Sequence, residues 1–600
     1  MSSQGHTRRD RGTAAIERPR AEGIHRNTPE FGSDAIAETL RALEVPYIAI
    51  NPGASFRGLH DSLVNYLGNE NPQLLLCLHE EAAVAIAHGY AKVTGRAMAA
   101  AVHSNVGLFH ATMAIFNAWC DRMPVLVIGA TGPVDAAKRR PWIDWIHTAR
   151  DQGAIVRGYT KWDDQPGSAE AAREAVARAF WIANTAPQGP TYVVLDAALQ
   201  EEHVSVPLRL LDVRRSTPPV SAGATLETID RIRAMLGSGR RVVILAGRAS
   251  RNVDAWSARL ELAERLDARV VTDLKIGATF PTDHPLHVGV PAILAPVTEA
   301  QIAISEAEVI LSLDWVDLAG TLRNLPSQPK AAVIHVSLDH AVHNGWSMDY
   351  QGLAPVDLYV AADPDTVAIA LSKAVEDLAA PKAVAAASRQ VRPDPSGPLS
   401  VEHLAFALRE AVATRNVSLL HLPLSWNGAW WPFRHPLDFI GSDGGGGIGG
   451  GPGISVGAAL ALKGSDRLPI SICGDGDFLM GVTALWTAVH YQIPLLLVIA
   501  NNRCFYNDEL HQERVARMRH RPIENKWIGQ RISDPEIDLA ALARAQGAVG
   551  LGPITTHEGL ATAYTQAIAV VEQGGVAVVD VSVEPGYAPA MSSTMLETRD

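Results

Sequence analysis

Short apolar runs rich in β-forming residues alternate with alanine-rich stretches along most of this 600-residue chain. The first of these runs is Tyr47–Ile50, and the most apolar is the eight-residue stretch Ile493–Ala500. Alternation of this kind is typical of βα units, in which helices cover both faces of a parallel sheet. The pattern therefore predicts an α/β fold of doubly wound parallel sheets.

The alternation occurs in three blocks, at residues 29–205, 222–380 and 399–590, separated by connectors that contain proline. Domains of roughly 100–200 residues make three or four domains the expectation for this length. We therefore predict three α/β domains, of which the central one opens with a Rossmann-like strand and turn at Val242–Gly247. Residues 1–28 are polar and carry six arginines, which predicts a disordered arm.

Ten apolar runs are the predicted strands of these sheets. Each has four to six residues, a typical strand length. They are Tyr47–Ile50, Leu74–Leu78, Ala99–Val102, Val125–Ile128 and Thr191–Leu195 in the first block, Arg241–Leu245, Arg269–Thr272 and Val309–Leu313 in the second, and Pro469–Cys473 and Leu495–Ala500 in the third.

Composition excludes several classes of protein. The chain has 52 basic and 64 acidic residues, a net charge of −12, and no basic stripe, which argues against a nucleic-acid partner. No apolar run approaches the length of about 20 residues that a membrane span needs. The four cysteines form no CxxC pair, which argues against a zinc site and a disulfide framework and suits a reducing compartment. We therefore expect a cytoplasmic protein without nucleic-acid or membrane partners.

The sharpest chemical signal lies in the third block, where polar residues follow two predicted strands. Gly474-Asp475-Gly476-Asp477 follows the first strand, a predicted helix at Gly481–Tyr491 comes next, and Asn501-Asn502 follows the second strand. Ligands bind beyond the carboxyl ends of parallel strands. A carboxylate and an amide oxygen suit Mg²⁺ that also contacts phosphate, and the glycines allow a phosphate close to the backbone. We therefore predict a Mg²⁺ site at Asp475 and Asn502.

These two motifs, 27 positions apart, resemble the signature of thiamine-diphosphate-dependent enzymes. The resemblance implies that Mg²⁺ is bound by Asp475, the Asn502 side chain and the backbone carbonyl of Cys504, and that this ion bridges to the diphosphate of thiamine diphosphate. It also implies cofactor contacts at Gly474, Gly476, Asp477 and Asn502.

A second motif, in the first block, resembles the same family. The segment Leu78–Lys92 is similar to the family pattern HEQxAxxxAxGYAR, whose glutamate hydrogen-bonds the aminopyrimidine ring and so activates the cofactor. By this match Glu80 is the catalytic carboxylate, and Glu81 stands where glutamine is frequent. A carboxylate at a helix start is favourable, and burial against a cofactor ring would raise its pKa.

The glycine-rich segment Gly444–Gly457 precedes a predicted helix. It resembles the family turn in which one bulky apolar residue wedges the cofactor into a bent shape, and Ile448 is the matching residue. Alternatively, Gly444–Gly453 matches the GxGxxG pattern of a flavin- or nicotinamide-dependent oxidoreductase. No strand directly precedes the segment, which weakens that alternative.

Three histidines are further candidates for catalysis. His103 follows a predicted strand and, with Ser104, resembles the His-Ser pair of benzoylformate decarboxylase, whose histidine relays protons. The segment Asn51–Ser55 resembles the NPGS loop of that enzyme, which places Gly53 at the cofactor. His110 at a helix start and His284 on a central-domain loop are the other two candidates. Each of the three alternatively has a structural role.

The resemblance covers about residues 30–590, in the order pyrimidine-binding, central and diphosphate-binding block. This order is that of the acetolactate synthase, benzoylformate decarboxylase and pyruvate decarboxylase group. It implies a decarboxylase or carboligase acting on a 2-oxo acid, as a homodimer or homotetramer with active sites between subunits. The alternatives are a lyase acting on an acyloin, a diketone or an acyl-CoA, and a non-catalytic member. Some relatives bind FAD in the central block, so FAD stays open.

A dense aromatic cluster, Trp426, Trp430, Trp431 and Phe433, has two interpretations. It is either the wall of an apolar substrate pocket or part of a subunit interface.

Overall fold

The computed structural model describes residues 17–19, 28–204, 212–293, 298–339, 352–377, 393–394 and 397–587. The predicted N-terminal arm, residues 1–28, lies almost entirely outside these residues. No helix of the described residues is long and apolar enough to cross a membrane.

The first block forms a six-stranded parallel sheet in the order β2-β1-β3-β4-β6-β5. Its inner strands are buried along their length because helices cover both faces, which explains their unbroken apolar runs. The strands are β1 (Tyr47–Ile50), β2 (Gln73–Leu76), β3 (Met98–Val102), β4 (Val125–Thr131), β5 (Asp163–Asp164) and β6 (Thr191–Asp196); the helices are α1 (Gly32–Ala42), α2 (Arg57–Asp61), α3 (Glu80–Thr94), α4 (Ser104–Cys120), α5 (Ile143–Ile146), α6 (Ala169–Asn184) and α7 (Ala197–Glu201).

The central block forms a five-stranded parallel sheet in the order β11-β10-β9-β7-β8. The strand order reverses between β7 and β9, where doubly wound domains have their ligand crevice. The strands are β7 (Val242–Ala246), β8 (Arg269–Val271), β9 (Val309–Leu313), β10 (Ala332–Val336) and β11 (Leu358–Val360); the helices are α8 (Leu226–Leu236), α9 (Val253–Leu266), α10 (Thr298–Ser305), α11 (Leu318–Arg323) and α12 (Pro364–Ala374).

The third block forms another five-stranded parallel sheet, in the order β12-β13-β14-β16-β15. Neighbouring strands β13 and β14 end together, with Gly474 opposite Ala500. The strands are β12 (Asn416–His421), β13 (Arg467–Gly474), β14 (Leu495–Asn501), β15 (Val549–Ile554) and β16 (Val576–Ser582); the helices are α13 (Val401–Val412), α14 (Gly451–Leu462), α15 (Asp475–Gly481), α16 (Ala484–His490), α17 (Tyr506–Met518), α18 (Leu539–Ala545) and α19 (His557–Glu572).

The predicted α/β architecture of three parallel sheets is confirmed, and all ten predicted strands are present within three residues at each end. The predicted helix Gly481–Tyr491 is present as α16 (Ala484–His490), and a separate short helix, α15, precedes it. Helix α15 already starts at Asp475, because acidic side chains stabilise the first turn of a helix. The chain then bends before α16 begins at Ala484.

Helices α3 and α14 bring the first and third blocks into close contact. A Cβ atom on Gly89 of α3 would lie 1.9 Å from the carbonyl oxygen of Ile454. A Cβ atom on Gly457 of α14 would lie 1.8 Å from the carbonyl oxygen of Ile86. The missing side chains therefore let the two backbones touch, and this contact positions the start of α3 against the glycine-rich segment.

The aromatic cluster is buried in the protein interior, and Trp431 also lines a cavity with charged residues such as Arg409 and Asp438. Trp426 is fully buried, and Trp430, Trp431 and Phe433 are at most 7% exposed. All four pack in a core shared with central-block residues such as Trp256. The cluster therefore joins the third block to the central block.

Candidate active site

Glu80 is the first residue of α3 and directly follows His79, which caps the helix. The Glu81 backbone N–H donates to His79 Nδ1 at 3.2 Å. Only 7% of Glu80 is exposed, and the helix dipole favours a carboxylate at this end. The carboxylate is thus held in a fixed position near the carboxyl ends of the first sheet.

A glycine on the neighbouring helix makes room for the Glu80 carboxylate. A Cβ atom on Gly107 of α4 would lie 2.7 Å from Glu80 Oε1. His110, further along α4, places Nδ1 at 3.2 Å from Glu80 Oε2. The His110 ring also stacks on His79, with centroids 5.0 Å apart. Glu80 and the two histidines therefore form one connected unit.

We expect Gly107→Ala to lower turnover by about 10²-fold, because the added methyl group displaces the Glu80 carboxylate and displacement of a reacting group by about 1 Å costs this much. The measurement is kcat together with a thermal unfolding curve. Thr112→Ala, a similarly small change on the same helix, is the matched control and should retain activity. Unchanged turnover in Gly107→Ala would show that the position of Glu80 does not matter.

His103 caps α4 at the end of β3, beside two residues of the loop that follows β1. Ser55 Oγ lies 2.7 Å from His103 Nδ1, and a Cβ atom on Gly53 would lie 2.1 Å from the ring. The His147 ring meets the His103 ring edge-on at 4.8 Å. Burial, helped by the proximity of His147, lowers the pKa of His103. A neutral imidazole at this position can accept or donate a proton.

His284 lies apart from these residues. Its Nε2 is 3.3 Å from Glu264 Oε1 on α9, and its ring meets Phe280 edge-on at 5.5 Å. Among the described residues, no contact joins His284 to Glu80 or His103. The structure therefore brings His103 and His110 to the rim of the first sheet near Glu80, and leaves His284 in the central block.

Asp475 begins α15 directly after β13 and is 4% exposed. Burial raises the pKa of its carboxyl to about 6, and the charge of Asp580 on β16 adds a smaller contribution. One oxygen, Oδ2, is buried and has no hydrogen-bond partner among the residues that the structure describes. A buried carboxylate oxygen without a donor is costly, and a bound cation would remove that cost.

Two successive side-chain turns shape the chain after β14. The Arg503 N–H donates to Asn501 Oδ1 at 3.2 Å, and the Cys504 N–H donates to Asn502 Oδ1 at 3.0 Å. Asn501 Nδ2 in turn donates to Asp580 Oδ1 at 3.0 Å. Asp580 is 1% exposed, so this buried pair anchors the turn that carries Asn502.

A cavity of about 260 Å³ opens at these strand ends, with Asp475, Asn501, Arg503 and Asp580 among its lining residues. Carboxylate and amide oxygens are the protein ligands that Mg²⁺ prefers alongside phosphate. Gly474 has no atom within 4 Å of a Cβ built on it, so space remains beside its backbone. The residues present therefore fit a Mg²⁺ ion with a diphosphate group.

The glycine-rich segment lies against the first block. A Cβ atom on Gly447 would lie 2.4 Å from the Met113 side chain on α4, and the adjacent Ile448 is 38% exposed. The preceding strand, β12, ends at His421, which is far from the strand-loop-helix arrangement of a nucleotide-binding turn.

Asp477 does not extend toward the cavity beside Asp475. Its Oδ1 accepts the Gly449 N–H at 2.6 Å and the Gly451 N–H at 3.3 Å. The carboxylate thus ties α15 to the glycine-rich segment and to the start of α14. This contact accounts for the acid that follows the Gly474-Asp475-Gly476 motif.

The crevice of the central sheet offers no support for FAD. Arg248, just after β7, pairs with Asp314 at 3.3 Å and with Asp339 at 2.6 Å. Arg122 of the first block pairs with the same Asp339. These ion pairs fill the strand ends where a dinucleotide would bind.

Two residues with structural importance were not found from the sequence. Gly107 interrupts a helical stretch, and an isolated glycine in a helix is a sign of close packing. Asp580 is the one acid within the valine-rich strand Val576–Ser582, and charged residues are rarely buried unless paired. Both signals were present, but neither indicates which partner the residue meets.

Comparison with known families gives three matches in chain order. Residues 31–155 match the thiamine pyrophosphate enzyme N-terminal TPP binding domain, residues 229–371 match the central domain, and residues 424–581 match the C-terminal TPP binding domain. Thiamine pyrophosphate is another name for thiamine diphosphate. The two TPP binding domains contain Glu80 and Asp475, respectively.

Curated relatives agree with this assignment. The acetolactate synthase large subunit of Lactococcus lactis is 25% identical over 86% of this chain and 87% of the relative. Benzoylformate decarboxylase of Pseudomonas aeruginosa is 25% identical over 72% of this chain and 79% of the relative.

A solved structure shows that the fold is shared. The crystal structure of benzoylformate decarboxylase from Polynucleobacter necessarius superposes with a TM-score of 0.78, at 21% identity, over 94% of this chain and all of that chain. With all three domains present in family order, the chain belongs to the thiamine-diphosphate-dependent enzymes, in the group of acetolactate synthase and benzoylformate decarboxylase.

Proposed function

We propose that this enzyme binds thiamine diphosphate with Mg²⁺ and decarboxylates a 2-oxo acid, followed by protonation of the product or its ligation to a second carbonyl compound. The observation that carries the proposal is the pair of buried carboxylates, Glu80 and Asp475, each at the carboxyl end of its sheet. Relatives of both product types match the chain, which supports the reaction class and leaves the product open.

The proposed roles follow from the geometry. Asp475, the Asn502 side chain and the Cys504 carbonyl would hold Mg²⁺, with the diphosphate beside Gly474 and Gly476. Thiamine diphosphate supplies, when bound, a nucleophilic carbon that accepts the electrons released by loss of CO₂. Glu80 would hold a proton at the aminopyrimidine, and Ile448 would support the bent shape of the cofactor. We give Asp477 a supporting role in the glycine-rich segment.

We propose that histidines transfer protons to and from the substrate. Burial lowers the pKa of His103, which favours its neutral ring. Ser55 orients the ring through Nδ1, and the ring lies above Gly53, so Nε2 is the proposed proton carrier. His110 bonds Glu80 through Nδ1, and 59% of its side chain is exposed, so it connects Glu80 to solvent. We assign His284 no part in the reaction.

We further propose a homodimer or homotetramer, with each active site completed by a second subunit. Large apolar side chains near the site residues are exposed: Phe109 by 55%, Ile448 by 38% and Met480 by 60%. Exposed apolar patches of this kind mark interaction surfaces. Light scattering that reports a single-chain mass would contradict this assembly.

The three blocks, 29–205, 222–380 and 399–590, are the proposed domains. The proposed location is the cytoplasm, since all four cysteines are free thiols.

The test is release of CO₂ from a panel of aliphatic and aromatic 2-oxo acids, with and without thiamine diphosphate and Mg²⁺. We expect release that needs both additions. Aldehyde or acyloin formation then identifies the product class. Cleavage of an acyloin, a diketone or an acyl-CoA without turnover of any 2-oxo acid would replace this proposal with a lyase of the same family.

A further inference from the structure

A cluster of nitrogen, sulfur and oxygen donors is buried behind the glycine-rich segment. His421 ends β12, Cys473 lies near the end of the neighbouring β13, and Asp477 lies in the first turn of α15. The exposed fractions are 5% for His421, 0% for Cys473 and 6% for Asp477. Three metal-ligating side chains of different chemistry thus meet in the protein interior.

The distances in this cluster are close to those of a tetrahedral metal site. His421 Nδ1 is 3.8 Å from Cys473 Sγ and 3.7 Å from Asp477 Oδ2. All three ligand atoms lie within 4.8 Å of one another. A tetrahedral zinc ion, with bonds of about 2.0–2.3 Å, separates its ligand atoms by roughly 3.3–3.7 Å. Small side-chain movements would therefore complete the geometry.

The charge balance of the cluster favours a bound cation. Asp477 Oδ2 is buried and has no hydrogen-bond partner within the described part of the chain. Asp443 is a second, half-buried carboxyl that interacts electrostatically with both His421 and Asp477. Burial of a carboxylate without a compensating positive charge is costly. His421 Nδ1 lies 3.1 Å from the Ile472 carbonyl oxygen, which can accept a hydrogen bond from this nitrogen.

We propose that His421, Cys473 and Asp477 bind a Zn²⁺ ion, with Asp443 or a water molecule as the fourth ligand. Imidazole nitrogen and thiolate sulfur select zinc over magnesium, so this site is distinct in chemistry from the all-oxygen site at Asp475. Binding releases the Cys473 thiol proton to solvent, and the His421 proton moves from Nδ1 to Nε2, so that the Nδ1 lone pair and the thiolate coordinate the metal.

The role of the ion follows from the other oxygen of Asp477. Because Oδ1 accepts the Gly449 and Gly451 N–H groups, an ion on Oδ2 fixes the glycine-rich segment relative to β12 and β13. The site is structural, with its ligands closed around the metal. The lack of a CxxC pair argued against zinc from sequence; parallel pairing of β12 with β13 brings the ligands together instead.

The test uses the full-length protein without thiamine diphosphate or Mg²⁺. Zinc content is measured by elemental mass spectrometry after dialysis against a weak chelator. The metal is then removed with a strong chelator, and Co²⁺ is titrated while the thiolate-to-cobalt charge-transfer band is followed. We expect one zinc per chain and a cobalt band that is lost in Cys473→Ser. Cobalt affinity should fall at least about tenfold in Asp477→Asn.

The matched control is a protein in which the other three cysteines, Cys77, Cys120 and Cys504, are replaced by serine. This variant leaves Cys473 as the single thiol. A cobalt charge-transfer band that it retains therefore identifies Cys473 as the thiolate ligand, even where Cys473→Ser fails to fold. Absence of stoichiometric zinc together with absence of a cobalt band in the wild type would overturn the proposal. So would a band that survives in folded Cys473→Ser or that is lost in the folded three-serine control.

Since no thiamine diphosphate is present, failure of this test leaves the proposed reaction untouched.

Discussion

Glu80→Gln is expected to lower kcat for CO₂ release by about 10²–10⁴-fold, the usual contribution of a positioned acid–base group. Glutamine keeps the size of the side chain, and the amide still fits beside Gly107 and His110. It cannot carry the exchangeable proton of a carboxyl group. The fold and the affinity for thiamine diphosphate should therefore change little, and the loss should fall on turnover.

The matched control for this variant is Glu81→Gln, one residue along the same helix turn. The Glu81 side chain is not part of the unit formed by Glu80, His79 and His110. The activity of the Glu81→Gln variant should therefore stay close to that of the wild type. Exchange of the cofactor C2 proton, followed by nuclear magnetic resonance, gives a second readout that needs no substrate. Equal losses in the two variants would contradict a specific role for Glu80.

Gly457→Ala is expected to produce the largest loss of stability among single-methyl changes. Alanine is favoured over glycine within a helix by up to about 1 kcal/mol, so intrinsic propensity predicts stabilisation. The new Cβ atom would lie 1.8 Å from the Ile86 carbonyl oxygen, and that atom belongs to the backbone of α3. Helices α3 and α14 must then separate, which costs about 1–3 kcal/mol or more.

The measurement is the unfolding midpoint at a fixed protein concentration, and we expect it to fall by at least about 2 °C. Gly167→Ala is the control, because nothing lies within 4 Å of a Cβ atom built there. An exposed change of that kind should stay within about 0.5 kcal/mol of wild type. A midpoint in Gly457→Ala that equals the control would show that the two helices are not in close contact.

The strands of the three sheets could be predicted from the sequence because buried parallel strands are apolar along their whole length. The run Leu495–Ala500 is apolar at every position, and the structure extends it by one residue, to Asn501. The boundaries of helices were harder to predict from the sequence. At Asp475 the residues Gly and Asp are equally compatible with a turn and with a helix start, so local propensity did not separate the two.

Side-chain partners depend on contacts between distant parts of the chain, which no local pattern contains. From the sequence, His103 and His284 were both candidates for a catalytic role. The fold places Ser55 beside the first and Glu264 beside the second. The four aromatic residues at Trp426–Phe433 likewise had two open interpretations, and only the fold shows that they pack in a core with Trp256 of another block.

The decisive measurement for the proposed cofactor site is titration calorimetry of thiamine diphosphate. It is carried out with and without Mg²⁺, on the wild type and on Asp475→Asn. Asparagine keeps the shape of Asp475 but removes the charge that the cation requires. We predict Mg²⁺-dependent binding to the wild type and loss of that binding in the variant, with both proteins folded. Wild-type protein that binds no thiamine diphosphate, or a variant that binds it as tightly, would contradict the assignment of this site.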